Sequence, residues 1–151
     1  MAEASAVRLD DQLCFALYAA LNSVTRSYRP LLRDIGLTYP QYLVLMVLWQ
    51  RDAQSVNRIA ERLQLGGNAI TPILGRLEQL GHVTRTRETT DARVVTVRLT
   101  AAGSDLERAA AAVQRQVVCH TGLDDASLAD LRARLHDLSD GMRAPAACDS
   151  A

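Results

Sequence analysis

Cys14 stands four residues before Tyr18, a spacing that puts a thiol and a phenol on one face of a helix. All four tyrosines of the chain, Tyr18, Tyr28, Tyr39 and Tyr42, fall between residues 18 and 42. A phenol O–H donates to a thiolate and so favours the ionised sulfur. The thiolate is the form that attacks a peroxide, and the sulfenic acid it yields condenses with a second thiol. Two further cysteines exist: Cys119 in VVCHTGL, and Cys148 in the low-complexity stretch 144–151, which reads as a flexible tail. In a dimer Cys119 could reach the partner's Cys14. The plainer reading stays open, that Cys14 is a small core residue on an apolar helix face and Cys148 an ordinary exposed thiol. His82, His120 and His136 lack ligand spacing, and no two cysteines have zinc-site spacing, so neither a metal nor a cofactor is expected.

A second chemistry is written in the arginines. All seventeen basic residues are Arg, whose planar fork suits phosphates and base edges. Codon bias alone would explain the missing Lys, but not the segregation of charge. Residues 58–98 carry Arg58, Arg62, Arg76, Arg85, Arg87, Arg93 and Arg98 against four acids, whereas residues 99–151 carry five Arg against eight acids. The chain is neutral as a whole, with 17 basic and 17 acidic side chains, yet its middle is basic.

Helical spacing of Leu9, Leu13, Leu17, Leu21 and Val24 predicts an amphipathic helix over 9–27, ended or kinked by Pro30, with Gly36 closing the short segment behind it. Thr38 and Gln41 have the form of a capping box before the apolar run Tyr42–Gln50. Ser55 caps a short helix that Gly66-Gly67 breaks. Asn68 caps another, with Pro72 tolerated in its first turn and Gly81 stopping it. The period then changes. Val83, Arg85 and Arg87 alternate with threonines, and Val95, Val97 and Leu99 do the same, which reads as a two-stranded hairpin. Thr100 caps an Ala-rich helix to about Cys119, and Asp124 caps a last one to about Met142.

The expected fold is therefore mainly α with a small β-hairpin: a winged helix-turn-helix over about 38–99. Helices over about 9–36 and 101–142 would form a dimerisation layer within a single domain spanning 1–151. Such a unit also occurs in protein-interaction modules, but here the basic segment coincides with it. The start of the second helix of the motif, with Gly67, Asn68, Ala69 and Thr71, would enter the major groove of double-stranded DNA, and Arg76 would meet the backbone. Arg87 and Arg93 at the hairpin tip suit the minor groove, with Asp91 orienting Arg93 or merely stiffening the wing. One such unit covers a half-site, so a homodimer on a pseudo-palindromic operator is expected.

Length and composition set bounds. At 151 residues the chain is one domain by the usual prior, and 48% hydrophobic with 23% charged residues fits a globular protein. The apolar run Leu43 to Trp49 is too short to span a bilayer, which takes about 20 residues. No secretory segment stands in residues 1–10, which points to no membrane association and a reduced, cytoplasmic location.

The segment DQLCFALYAALNSVTRSYRPLLRDIGLTYPQYLVLMVLW resembles the N-terminal signature of the organic-hydroperoxide-resistance repressors, a branch of the MarR family. The segment IAERLQLGGNAITPILGRLEQLGHVTRTRETTDARVVTVRLTAAG is similar to their winged-helix part, and Asp91-Ala92-Arg93 matches the D-x-R wing motif general to MarR proteins. The resemblance covers about residues 10–140. It implies a homodimeric repressor released from its operator by an organic or lipid hydroperoxide. The peroxidatic cysteine falls on Cys14. The tyrosines that hydrogen-bond it from the other subunit fall on Tyr28 and Tyr39, with Tyr18 close by. The second reactive cysteine of two-cysteine members falls on Cys119. The chain departs from the pattern at Gly66-Gly67-Asn68-Ala69, where the family carries an acidic-Ser-Gly-Thr stretch, so operator sequence does not carry over. Two rival readings remain: a MarR-type repressor released by a small aromatic ligand without thiol chemistry, and a thiol peroxidase with a vestigial wing.

Overall fold

The computed structural model describes residues 8–143. They fall into two compact units that divide at Val117 and Val118. Cys148 and the rest of 144–151 lie outside the described residues.

The first unit opens with a 3-10 turn, Leu9–Asp11, followed by α1, Leu13–Asp34. Of the two readings of Pro30, a stop or a kink, the stop does not hold, because the helix runs through it. Pro30 cannot donate to the Arg26 carbonyl, and both residues are exposed, so the missing bond falls on the solvent side of the helix. Tyr28 and Leu32, buried on the opposite side, hold the helix on both sides of the missing bond. Gly36, at φ +76°, does close α1. Its N–H donates to the Arg33 carbonyl at 3.0 Å and the Leu37 N–H to that of Leu32 at 2.9 Å, a Schellman arrangement that turns the chain.

Helix α2, Tyr39–Gln50, starts at Thr38, whose N–H donates to Gln41 Oε1 at 2.9 Å. A two-residue strand β1, Gln54–Ser55, leads into α3, Val56–Leu63, which Ser55 caps by accepting the Arg58 N–H at 3.2 Å. Two expectations about the turn between helices need correcting. Gln64, at φ 57°, is the left-handed residue that ends α3, so Gly66 and Gly67 are not the break. Gly66 is the N-cap of α4, Gly67–Gln79, and Asn68 lies inside its first turn. Because α4 starts at Gly67, Pro72 falls past the first turn and costs the helix one backbone bond. Ile70, Leu74 and Leu77 anchor α4 in the core.

Gly81, also at φ +76°, ends α4, with the His82 N–H on the Leu77 carbonyl at 3.0 Å. Strands β2, Val83–Arg87, and β3, Val95–Leu99, form the expected antiparallel hairpin, with Val83 opposite Leu99 and Arg87 opposite Val95. The sheet has three strands, not two: β1 pairs with β3 in the order β1-β3-β2. A two-residue strand is too short to show a period in sequence. Helix α5, Ala101–His120, is capped by Thr100, which accepts the Gly103 N–H at 3.0 Å.

The core of this unit joins Tyr28 and Leu32 of α1 to Val44, Leu45 and Leu48 of α2, Ile59 of α3, the α4 trio, Val83, Val97, and Ala110, Val113 and Val117 of α5. In the second unit Asp124 caps α6, Asp125–Arg143, by accepting the Ser127 N–H at 2.7 Å. No residue of α6 is buried, and its Leu131 and Leu135 are exposed. No helix among the described residues is long and apolar enough to cross a membrane.

Candidate functional site

Cys14 sits in the first turn of α1 and is exposed. The reading of it as a packed core residue therefore does not hold within the chain. It is one position on an uncovered apolar surface that includes Leu9, Leu13, Tyr18 and Leu21, each 58–64% exposed. Leu13, Tyr18 and Leu21 thus leave apolar side chains bare over the first turns of α1, and Leu9 continues the patch from the preceding 3-10 turn.

The phenols lie elsewhere. Tyr28, Tyr39 and Tyr42 form a cluster, with ring centroids 5.2 Å apart for Tyr28 and Tyr39, 5.6 Å for Tyr28 and Tyr42, and 6.1 Å for Tyr39 and Tyr42. Trp49 extends it, 6.3 Å from Tyr42, and its Nε1–H donates to the Gly103 carbonyl at 2.9 Å, tying α2 to α5. Burial pushes the phenols of Tyr28, Tyr39 and Tyr42 above the ordinary tyrosine range, and their mutual proximity adds to this for Tyr28 and Tyr42. All three are therefore O–H donors at neutral pH. Cys14 and Tyr28 are fourteen residues apart on one continuous helix, or about 21 Å along its axis. Within one chain the phenol one turn from the thiol is the exposed Tyr18, and Tyr28, on the same helix, is too far along it to meet Cys14. Cys119 belongs to the second unit and is likewise exposed.

A cleft of about 420 Å³ opens beside the cluster, between the C-terminal half of α1 and the start of α2, with Thr25, Arg29, Arg33, Leu37 and Tyr39 on its walls.

The residues expected to meet DNA lie on the surface of the winged helix-turn-helix. Gly67, Asn68, Ala69 and Thr71 are all exposed at the start of α4. Thr71 Oγ1 donates to the Gly67 carbonyl of its own helix at 2.9 Å, leaving the hydroxyl as an acceptor. Arg76, further along α4, is exposed and touches Gln79 Oε1 at 3.3 Å. In the wing, Asp91 grips Arg93 three times: Oδ1 accepts its backbone N–H at 3.0 Å and Nε at 3.1 Å, and Oδ2 accepts Nη2 at 3.3 Å. The bond from Arg93 holds the Asp91 carboxyl below the usual range. The Arg93 side chain is nonetheless 91% exposed, so it is oriented without being spent. Arg87 Nη1 donates to the Ala92 carbonyl across the wing at 3.4 Å. Thr71 and Arg93 line one cleft of about 270 Å³ together with Ser55 and Asn57. The fold thus brings the α3 start, the α4 start and the wing base to one face; Arg76 is not part of that cleft.

A family profile described as "Transcriptional regulator SarA/Rot" matches residues 26–109. The HTH-type transcriptional regulator TtmR of Methylorubrum extorquens is 44% identical over 92% of this chain and 75% of its own length. The organic hydroperoxide resistance transcriptional regulator of Bacillus subtilis is 36% identical over 87% of this chain and 90% of its own. The chain belongs to the MarR family of transcriptional regulators, in the organic-hydroperoxide-resistance branch. Among solved structures, this MarR-family protein is similar to one described as reduced AbfR bound to DNA, with a TM-score of 0.78, 32% identity, and coverage of 90% of this chain and 93% of that one. A disulfide-formed AbfR is similar at a TM-score of 0.64, with 33% identity over 90% of each chain. The MarR protein of E. coli shares the fold, at a TM-score of 0.68 and 22% identity over 84% of this chain and 96% of that one.

Two features of this MarR-family chain escaped the sequence reading. Arg85 lies on the Val83 face of β2, half-buried, and Glu78 of α4 holds it: Oε2 accepts Nη2 at 2.6 Å and Nε at 2.9 Å, and Oε1 accepts its backbone N–H at 3.1 Å. These bonds hold the Glu78 carboxyl below its usual range. The signal was present, because an arginine on the inward parity of a strand needs a carboxylate partner. Tyr42 was counted among the tyrosines but given no role, although its spacing from Tyr39 places both on one side of α2. Among the described residues no group of three or more His, Cys, Asp or Glu gathers as a metal site would need.

Proposed function

We propose that this protein is a homodimeric repressor whose hold on operator DNA is switched by oxidation of Cys14. The observation that carries the proposal is the placement of Cys14: exposed, on an uncovered apolar surface of α1, and out of reach of the Tyr28 and Tyr39 phenols of its own chain. A second copy docked on that surface would bring its own Tyr28 and Tyr39 to the thiol. The bare leucines of α1 and α6 supply apolar surface for such a layer. Relatives described in reduced, DNA-bound and disulfide forms support the same reading.

In the reduced dimer the α4 starts would enter successive major grooves of a pseudo-palindrome through Gly67, Asn68, Ala69 and Thr71, with Arg76 on the backbone. Arg87 and the Asp91-held Arg93 would enter the flanking minor grooves. An organic or lipid hydroperoxide, ROOH, is the proposed inducer. The Cys14 thiolate attacks its terminal oxygen; the O–O bond breaks, Cys14 becomes a sulfenic acid, and RO⁻ takes a proton to leave as the alcohol. Sulfur loses two electrons and the peroxide gains them. The thiol of Cys119 from the other subunit then attacks the sulfenic sulfur, expelling water and forming an intersubunit disulfide. Losing the thiolate changes what the phenols hold, and the two wings shift. A 1000-fold release corresponds to about 4 kcal/mol of differential affinity between the two states.

Non-reducing electrophoresis after treatment with cumene hydroperoxide tests the bridge. A disulfide dimer is expected in the unsubstituted protein and in Cys148→Ser, and absent in Cys14→Ser and Cys119→Ser. A bridge that survives Cys119→Ser but not Cys148→Ser overturns the pairing.

The reading with a small aromatic effector draws on the cleft beside Tyr39, where Arg29 and Arg33 would meet an acidic ring substituent. On that reading DNA release would need no Cys14.

A further inference from the structure

We infer that the cleft between the C-terminal end of α2 and the outer side of α3 is a second DNA-backbone site, in which Arg51, Arg58 and Arg62 hold phosphates flanking the half-site. The cleft encloses about 290 Å³, and its polar walls are these three arginines with Gln50, Gln54 and Glu61. The inference rests on the reading of the protein as a DNA-binding regulator and adds residues that neither the recognition helix nor the wing contains.

Three observations carry it. Among the described residues, the ion pairs present use other arginines: Arg8, Arg85, Arg93, Arg134 and Arg143. Arg51, Arg58 and Arg62 therefore converge on one cleft as three cations against the single carboxylate of Glu61. Like charges gathered this way repel, and a bound anion relieves the repulsion. Asp52, the acid next in sequence to Arg51, is already engaged, because its Oδ1 accepts the Leu99 N–H at 2.9 Å.

The second observation is continuity with the DNA-facing surface. Ser55 and Asn57 line the cleft that holds Thr71 and Arg93, while Gln54 and Arg58 line this one. The start of α3 is thus the divide between two clefts, one on each side of it. A nucleic-acid strand leaving the Arg93 cleft over that divide would meet Arg58 next. Third, the first helix of a helix-turn-helix crosses the sugar-phosphate backbone while the second enters the groove. Arg58 and Arg62 stand one turn apart on that first helix, and the guanidinium fork matches phosphate oxygens.

The test uses the full chain, reduced, and a long random-sequence duplex, because backbone contacts are read without sequence. Affinity is measured by fluorescence anisotropy across a salt series for the unsubstituted protein, for Arg58→Gln/Arg62→Gln and for Arg51→Gln. Arg115→Gln, an exposed arginine of α5, controls for net charge. Each lost phosphate contact lowers the slope of log affinity against log salt by about 0.9, so the double variant should lose about 1.8 and the Arg51 variant about 0.9. The double variant should also bind at least about tenfold more weakly near physiological salt. An unchanged slope, or an equal fall in Arg115→Gln, overturns the assignment. If the difference shrinks when inorganic phosphate replaces chloride at equal ionic strength, free phosphate competes with the backbone for the cleft, as the assignment expects. If the unsubstituted protein does not bind the duplex at all, the DNA reading itself fails, a result distinct from the others. All three side chains are exposed, so circular dichroism melting should show the variants folded as the parent is.

Discussion

The rings of Tyr28 and Tyr39 lie 5.2 Å apart at an interplanar angle of 50°, one from the middle of α1 and the other from the first residue of α2. The Schellman turn at Gly36 folds the chain back so that they meet. The pair is preformed within the chain, and Tyr28 stands fourteen residues along α1 from Cys14. A dimer that uses it must use it across the seam.

Complementation between subunits checks that arrangement. Mixed dimers of Cys14→Ser chains with Tyr28→Phe/Tyr39→Phe chains have one seam where an intact Cys14 meets intact phenols from the other chain. Their surviving Cys14 should be oxidised by cumene hydroperoxide as fast as in the unsubstituted protein, whereas Tyr28→Phe/Tyr39→Phe homodimers should be slower by about tenfold or more, the usual scale for one or two lost charge-assisted hydrogen bonds. Slow oxidation in the mixed dimers would place the phenols in the same chain as the thiol they serve.

The wing offers a second check. Asp91 holds Arg93 through three hydrogen bonds, and on the proposed reading it acts on DNA through that arginine, so Arg93→Ala should weaken binding more than Asp91→Ala does. The double substitution should match Arg93→Ala alone, because the two residues act as one unit. Additive losses, read by anisotropy, would show Asp91 acting independently.

Glu78 and Arg85 lock α4 to β2, and the lock depends on pH. The Glu78 carboxyl is depressed in the folded chain by its bonds to Arg85, so its stabilisation is present above the unfolded value of about 4.3. It is lost as pH falls through the folded value. Glu78→Gln should cost about 1 kcal/mol near pH 7, a modest figure because both side chains are about a third exposed. The gap between the two melting curves should close in acid. A gap that widens in acid would contradict the assignment.

Gly103 is buried where α5 crosses the turn after α4. A Cβ there would collide with the His82 carbonyl oxygen, a backbone atom with no freedom to move aside. Gly103→Ala should therefore destabilise the winged unit by about 3 kcal/mol and lower its melting temperature by about 10 °C. It should also loosen the Trp49 bond to the Gly103 carbonyl, visible as a change in Trp fluorescence.

Much of this was legible in the residues, and what was not has identifiable causes. Ser55, Thr100 and Asp124 announced their helices because an N-cap is a local bond between a side chain and a nearby N–H. The hairpin was legible from its period. Local rules failed where tertiary packing overrides them. Pro30 reads as a stop until the burial of Tyr28 and Leu32 is known, and the glycine pair outweighed Gln64 as a helix terminator only on propensity. Strand β1 exists because β3 is there to pair with it. The separation of Cys14 from Tyr28 lies before Pro30 and was implicit in a helix over 9–27, whereas the tyrosine cluster was not, because it needs the turn at Gly36 that brings Tyr39 onto Tyr28.

The most direct measurement follows the DNA complex itself. A duplex selected from a random pool by the reduced protein is bound and watched by anisotropy while one equivalent of cumene hydroperoxide per subunit is added. The unsubstituted protein should let the DNA go and recover it on addition of a thiol reductant, while Cys14→Ser should bind as tightly and stay bound. Release by Cys14→Ser at the same peroxide dose would contradict the account.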